Sequence, residues 1–295
     1  MHRVSSRALT ALCAVAALGL GACGDDEGAS SDAPATTPSA AKIAVPAAIK
    51  RNGTLRVAAD ATNAPSEFIG PDGKTVIGMD ADLAAAIGAK LGLKSEVVNA
   101  TFDGIIPGLA AHKYDLGMSA FTDTKEREKV VDFVTYFTAG TSFFVAADGG
   151  PAIATLADLC GHKVAVEKGT TQAADIAARA KACKSAGKPK LTELVFPDQN
   201  AKNLALSSGR ADVSMADSPV AAYQVKQSGG RLKLSGDSYG TAPYGIAIPK
   251  DTGMTEPVLA AVKAIMADGT YRKILAKWGV SAGAIADPAI NAATS

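Results

Sequence analysis

The strongest constraint on the fold of this chain is an alternation of short extended runs with amphipathic helical runs, beginning at Leu55 and continuing past Met215. Leu55-Arg56-Val57-Ala58-Ala59 reads as a strand ending at Asp60. After a turn at Pro71-Asp72-Gly73-Lys74, Gly78-Met79-Asp80-Ala81-Asp82-Leu83 opens a helix. Leu83, Ile87 and Leu91 recur every four residues and form one buried stripe, and Gly92 stops the helix. Ser95 to Val98 reads as a second strand. Phe102 to Ala111 reads as a helix with Ile105, Ile106 and Leu109 on its apolar face, and Tyr114 to Met118 as a third strand. A β-α-β-α-β order implies a parallel sheet, because parallel strands must be joined by crossovers.

The pattern then repeats in kind. Lys163 to Val166 reads as a strand running into Gly169-Thr170-Thr171-Gln172, followed by an Ala-rich helix from about Ala173 to Cys183. Glu193 to Phe196 is a strand, Ala201 to Ser208 a helix, and Val213 to Met215 a strand leading to Asp217. Two such units suggest two lobes, and 295 residues suffice for both. The extended segments near Phe143–Ala147 and Gly240–Ile248 are expected to cross between them. Tyr271, Ile274, Leu275 and Trp278 follow the helical spacing and form a packing face.

The N-terminus carries a different signal. Arg3 and Arg7 precede an apolar run from Ala8 to Leu20 that is short for a membrane span and reads as a signal peptide, residues 1–22. Leu20-Gly21-Ala22-Cys23 resembles the lipobox of bacterial lipoproteins, which implies an acylated Cys23 and a lipid anchor at the extracytoplasmic face of the cell membrane. An ordinary signal with a chance cysteine is the alternative. Gly19 to Gly24 also spells GxGxxG, but it follows no strand and opens no helix, so it is no nucleotide site. Residues 23–45 are rich in Asp, Ser, Ala, Pro and Thr and read as a disordered linker.

Composition removes other classes. A net charge of +1 and 5% aromatic residues provide neither the basic footprint nor the stacking surface of a nucleic-acid binder. Among the mature residues His112 and His162 have no CxxC or HxxxH neighbour, so neither metal nor cofactor is expected. Cys160 and Cys183 form an even pair in an oxidising compartment, so they read either as a disulfide or as two buried thiols.

Gly78-Met79-Asp80-Ala81-Asp82-Leu83-Ala84-Ala85-Ala86-Ile87 resembles the signature of the family-3 solute-binding proteins of polar amino-acid ABC importers, although Met79 and Ala81 depart from its usual choices. The resemblance continues in Phe102-Asp103-Gly104-Ile105-Ile106-Pro107-Gly108-Leu109, Thr122 with Glu126-Arg127, Asp132-Phe133 and Gly169-Thr170-Thr171. Gly209-Arg210-Ala211-Asp212 with Asp217, Tyr244-Gly245-Ile246-Ala247 and Asp268-Gly269-Thr270-Tyr271 extend it over about Thr54 to Val280. It implies an α/β, two-lobed periplasmic-binding-protein-like fold of type II, with two mixed or parallel sheets joined by two crossing strands. The first lobe would comprise 46–146 and 239–283, the second 147–238, and 284–295 a C-terminal tail. The implied partners are a small L-amino acid and a membrane permease, with the protein acting as a monomer.

An α-amino acid in a dry cleft needs a cation for its carboxylate and an anion for its ammonium. Arg127 can hold the carboxylate with its planar fork, aided by Thr122 and by Thr171 at a helix start. Asp217, at a strand end of the other lobe, can receive the ammonium. By similarity Ser119 and Ala120 lie beside this group, and Asp60, Asn63, Phe102, Glu167 and Gln172 carry over to the side-chain end. Asp60 and Glu167 would make that end acidic, which ranks arginine and lysine first, glutamine next and glutamate last.

Simpler roles stand beside these. Arg127 lies in a charge run that could be a solvated helix face, and Asp217, Thr122 and Asp123 could be helix caps. Glu167 could be a surface carboxylate paired with Lys168. Two rival functions remain open: a dehydratase on the same fold with Glu167 as general acid, and a sensory binding module.

Overall fold

The computed structural model describes residues 43–294. The proposed signal peptide, the acylated Cys23 and most of the linker lie outside the described residues.

The first lobe opens with α1 (Ala47–Asn52), closed by Gly53 in the left-handed conformation, and β1 (Thr54–Ala59). A small antiparallel sheet of β2 (Thr62–Asn63), β3 (Glu67–Ile69) and β4 (Val76–Ile77) follows. Next come α2 (Met79–Leu91), β5 (Lys94–Asn99), α3 (Phe102–Ala110), β6 (Leu116–Gly117) and the single turn α4 (Lys125–Glu128). The long strand β7 (Val131–Ala146) leads into the second lobe. That lobe holds β8 (Lys163–Glu167), α5 (Thr171–Ser185), β9 (Thr192–Phe196), α6 (Gln199–Ser207), β10 (Val213–Asp217) and α7 (Ser218–Gln227). A second long strand, β11 (Leu232–Pro249), returns to the first lobe, which α8 (Thr255–Ala267) and α9 (Thr270–Trp278) complete.

Strand order across the large sheet is β5-β1-β6-β11-β7-β10-β8-β9. β1 pairs in parallel with β5 and β6, and β8 in parallel with β9 and β10, as the crossovers require. Between these halves β7 and β11 run antiparallel to each other, from Leu232 opposite Ala146 to Pro249 opposite Val131. The two expected sheets are therefore joined by two crossing strands into one unbroken hydrogen-bonded run. Both crossings are longer than the sequence suggests. The β7–β11 pairing slips register between Ser235 and Tyr239 and between Tyr239 and Ala242, where Gly236 and Gly240 take positive φ. An L side chain there would be strained, so these glycines permit the bend between lobes.

Each half has its own core. Leu83, Ile87 and Leu91 of α2 are buried, as their spacing predicts, against Val258, Val262 and Ile265 of α8 and Tyr271 and Leu275 of α9. Truncating such a leucine costs about 2–5 kcal/mol. The second core packs Ile176 and Cys183 of α5 on Val164, Val166, Val213 and Met215. Here Cys160 and Cys183 are joined as a disulfide, with Cα atoms 5.7 Å apart.

The segment read as a C-terminal tail is docked. Ile290 bridges Val134, Asn291 Oδ1 accepts from Phe133 N at 2.8 Å, and Ala292 N donates to Asp123 at 2.8 Å. Among the described residues no helix is long and apolar enough to cross a membrane.

Candidate functional site

One cleft between the lobes gathers Arg127 and Phe102 from the first lobe with Asp217, Glu167, Thr171 and Gln172 from the second. Arg127 reaches it because α4 divides its charges. Lys125 pairs with Glu128 and Lys129 with Glu126 on the outer face. Thr124, not Thr122 or Asp123, caps this turn by accepting from Arg127 N at 3.3 Å. The guanidinium turns inward. Its Nη1 donates to the Thr122 carbonyl at 2.7 Å and its Nη2 to the Gly169 carbonyl at 3.0 Å, the latter reaching across to the second lobe. It also lies 5.4 and 5.3 Å from the ring centres of Phe102 and Phe121, which stack 4.5 Å apart. Burial draws its pKa down to about 10, with Asp217 and Asp123 pulling the other way, so it stays charged at neutral pH.

Asp217 occupies the N-cap position of α7, yet its side chain makes no capping bond. Instead it accepts from Gln172 Nε2 at 2.6 Å and from the Tyr244 hydroxyl at 2.5 Å. Burial raises its pKa, while Tyr244, Gln172, Lys202 and Arg127 favour the anion. Gln172 is fixed in turn by donating to Thr141 Oγ1 at 2.9 Å. Thr170 caps α5 by accepting from Ala173 N at 3.2 Å, so the first-turn N–H groups of Thr171 and Gln172 remain unused by the cap. They form the positive end of a helix whose first residues line the cleft.

Ser119 and Ala120 also line the cleft, on a rigid mount. The Ser119 hydroxyl accepts from Asp60 N and donates to Glu67 Oε1, each at 2.9 Å. Ala120 has φ of 48° and is held there by donating its N–H to Asp80 Oδ2 at 2.9 Å. A left-handed alanine costs on the order of 1–3 kcal/mol and persists only where its surroundings fix it. The fixing group is a buried acid pair. Burial and mutual repulsion push Glu67 well above the usual carboxylate range, and burial pushes Asp80 to about 6.

Asp60 departs from expectation. It does not line the cleft; its carboxylate stands behind the wall, accepting from Thr62 Oγ1 at 2.7 Å and Phe102 N at 3.0 Å. It positions Phe102, and its charge is felt at Glu167.

Glu167 is only 2% exposed, and Lys168 pairs instead with Asp103 of the other lobe at 2.7 Å. Burial raises the Glu167 pKa to about 8, with Lys202 and Asn63 opposing. Glu167 Oε1 and Gln199 Oε1 are buried acceptors without a hydrogen-bond partner. Asn63 and Gln199 complete this end, and Gln199 N donates to Thr62 Oγ1 at 3.2 Å across the lobes.

Sequence reasoning leaves out Thr170, Gln199 and above all Lys202, which is 2% exposed and lines the same end. Its ammonium donates to the Met215 carbonyl at 2.7 Å, and burial lowers its pKa to about 8 against the pull of Glu167 and Asp217. No local signal marks it, because its compensating groups lie on β8 and β10. Among the described residues no group of three or more His, Cys, Asp or Glu side chains could hold a metal ion.

Residues 55–281 match the model of the bacterial extracellular solute-binding proteins, family 3. The arginine-binding protein ArgT of Corynebacterium glutamicum is 34% identical over 248 residues, covering 84% of this chain and 81% of that protein. A solved ancestral arginine-binding protein bound to arginine is 39% identical, with a TM-score of 0.70 over 77% of this chain and 98% of its own. An ancestral amino acid-binding protein described as a precursor of cyclohexadienyl dehydratase is 38% identical, with a TM-score of 0.66 over 78% of this chain and 97% of its own.

Proposed function

The chain belongs to the bacterial extracellular solute-binding proteins of family 3, and from that premise we propose that it captures a polar L-amino acid between its lobes and delivers it to the permease of an ABC importer. The observation that carries this reading is the arrival of a guanidinium, Arg127, and a carboxylate, Asp217, from opposite lobes in one cleft. Arg127 and the first turn of α5 receive the ligand carboxylate, and Asp217 receives its ammonium. Only a ligand bearing both groups satisfies both lobes, so binding and closure form one equilibrium. Asn63, Phe102, Glu167 and Gln199 surround the side chain, while Asp60 acts from behind by holding Phe102.

At the distal end two buried acceptors without partners ask for N–H donors. Arginine and lysine supply them with a charge that Glu167 favours, glutamine supplies them without it, and glutamate supplies none. The arginine-binding relatives support placing arginine among the first. The chain is anchored through Cys23 and acts as a monomer on the outer face of the membrane, with residues 46–146 and 239–283 as one lobe and 147–238 as the other.

A thermal-shift screen of the twenty amino acids tests this. A ligand at a hundredfold excess over its Kd stabilises by about 2.7 kcal/mol, on the order of 5–10 °C for a chain of this size. Stabilisation by glutamate with none by arginine, lysine or glutamine would overturn the assignment. The second reading, a dehydratase, draws on the raised pKa of Glu167, which suits a general acid, and on the dehydratase precursor among the neighbours. Mass spectrometry after incubation with prephenate-like acids separates the two: the capture reading expects these acids to be returned intact.

A further inference from the structure

The distal end of the cleft contains a cation of the chain's own. Lys202 projects from α6, is buried, and lines the cleft together with Glu167, Asn63 and Gln199. Among the described residues its ammonium has one hydrogen-bond acceptor, the Met215 carbonyl in the strand that ends at Asp217. The ion pairs among the described residues lie elsewhere, so no direct contact closes between Lys202 and Glu167. Glu167 keeps an oxygen without a partner. Lys202 therefore acts on this end through its charge and leaves the acceptor available.

Charge balance then determines what the end accepts. Arg127 and Asp217 offset the charged head of an amino acid. Lys202 favours the charged form of Glu167, which burial, Asp60 and Asp198 oppose, so it already answers the anion that a ligand cation would meet. A guanidinium or ammonium entering there is drawn by the carboxylates but meets a fixed cation that offsets part of that attraction. A carboxamide or ureido group brings no charge, and it carries the N–H donors that the unpartnered acceptors Glu167 Oε1 and Gln199 Oε1 call for. We propose that Lys202 is a specificity-determining residue of this pocket: as the built-in counter-cation of Glu167, it weakens the preference for cationic side chains and admits amino acids with uncharged N–H-donating ends. The inference rests on the amino-acid capture reading above and deepens it.

Isothermal titration of the purified protein with L-arginine, L-glutamine and L-citrulline tests it at pH 7. In Lys202→Met, which keeps an apolar stem and removes the charge, the glutamine-to-arginine Kd ratio rises by about tenfold. Citrulline follows glutamine, and Glu167→Gln moves the ratio in the opposite direction. If Lys202→Met does not fold, Lys202→Gln is read by the same criterion. A lysine that merely props up the Met215 strand would weaken all three ligands alike. A ratio that stays within about threefold of wild type, or falls, overturns the inference. Wild-type protein that binds none of the three overturns the capture reading itself, an outcome distinct from binding with an unmoved ratio.

Discussion

Arg127→Ala is the sharpest test of the capture reading. The side chain is held by the Thr122 carbonyl and the stacked rings of Phe102 and Phe121 within its own lobe, and by the Gly169 carbonyl across the cleft. Its planar fork can form two charge-assisted bonds with a ligand carboxylate, each contributing about 1.5–3 kcal/mol. Removing one member of a buried charge pair leaves the other unpaired and costs about 3–5 kcal/mol. The expected loss of affinity is therefore on the order of a hundredfold to several thousandfold. Arg127→Lys keeps the charge without the fork and should recover only part of this loss. Titration calorimetry on variants whose far-UV circular dichroism matches wild type gives the result directly. Binding within about threefold of wild type, under ~1 kcal/mol, would refute the assignment of Arg127 to the carboxylate.

Three further outcomes are expected. The folded state raises the pKa of both Glu67 and Asp80, the latter to about 6, so it holds their protons more tightly than the unfolded chain does. The stability this contributes is present at acid pH and lost as pH rises through about 6 and beyond; Glu67→Gln, with a permanently neutral partner for Asp80, should flatten the fall in melting temperature between about pH 5 and 8, and parallel curves for the two proteins would contradict this. Cys160→Ser opens a loop of sequence separation 23, which removes about 3 kcal/mol and should lower the melting temperature by roughly 10 °C; an unchanged melt would count against the bond. Cys23 should incorporate a fatty-acid probe during growth and Cys23→Ser should not, whereas an unlabelled wild type would remove the anchor.

The sequence displays the fold where burial is one-sided and disguises it where burial is complete. Leu83, Ile87 and Leu91 announce α2 because they are large apolar side chains recurring on one face among alanines and charges. The crossing strand β7 is buried almost throughout, from Val131 to Val145, so no alternation sets its limits and its length is visible only in the pairing with β11. The β2–β3–β4 sheet consists of strands two or three residues long, too short for any period. The β-α alternation is silent on α8, which belongs to the closing helices packed on α2.

The site divides along the same line. Arg127, Asp217, Thr171 and Gln172 can be found because motif and ligand chemistry agree on them. Asp60 can be found as a residue, but not its role, since the Thr62 and Phe102 groups that occupy its carboxylate are identified only by the folded backbone. Lys202 is the opposite case. In Ala201-Lys202-Asn203-Leu204 hydropathy alone would bury the leucine and expose the lysine. The structure leaves Leu204 68% exposed and Lys202 2% exposed. A buried lysine is tolerable only where carboxylates and a carbonyl compensate it, and Glu167, Asp217 and the Met215 carbonyl do so from other strands. Where sequence suggests two carboxylates lining the cleft, the structure lines it with Glu167 and Lys202 and sets Asp60 behind the wall, its charge still acting on Glu167. That change makes the response of the glutamine-to-arginine ratio to Lys202, more than affinity for arginine alone, the measurement that decides how this pocket chooses.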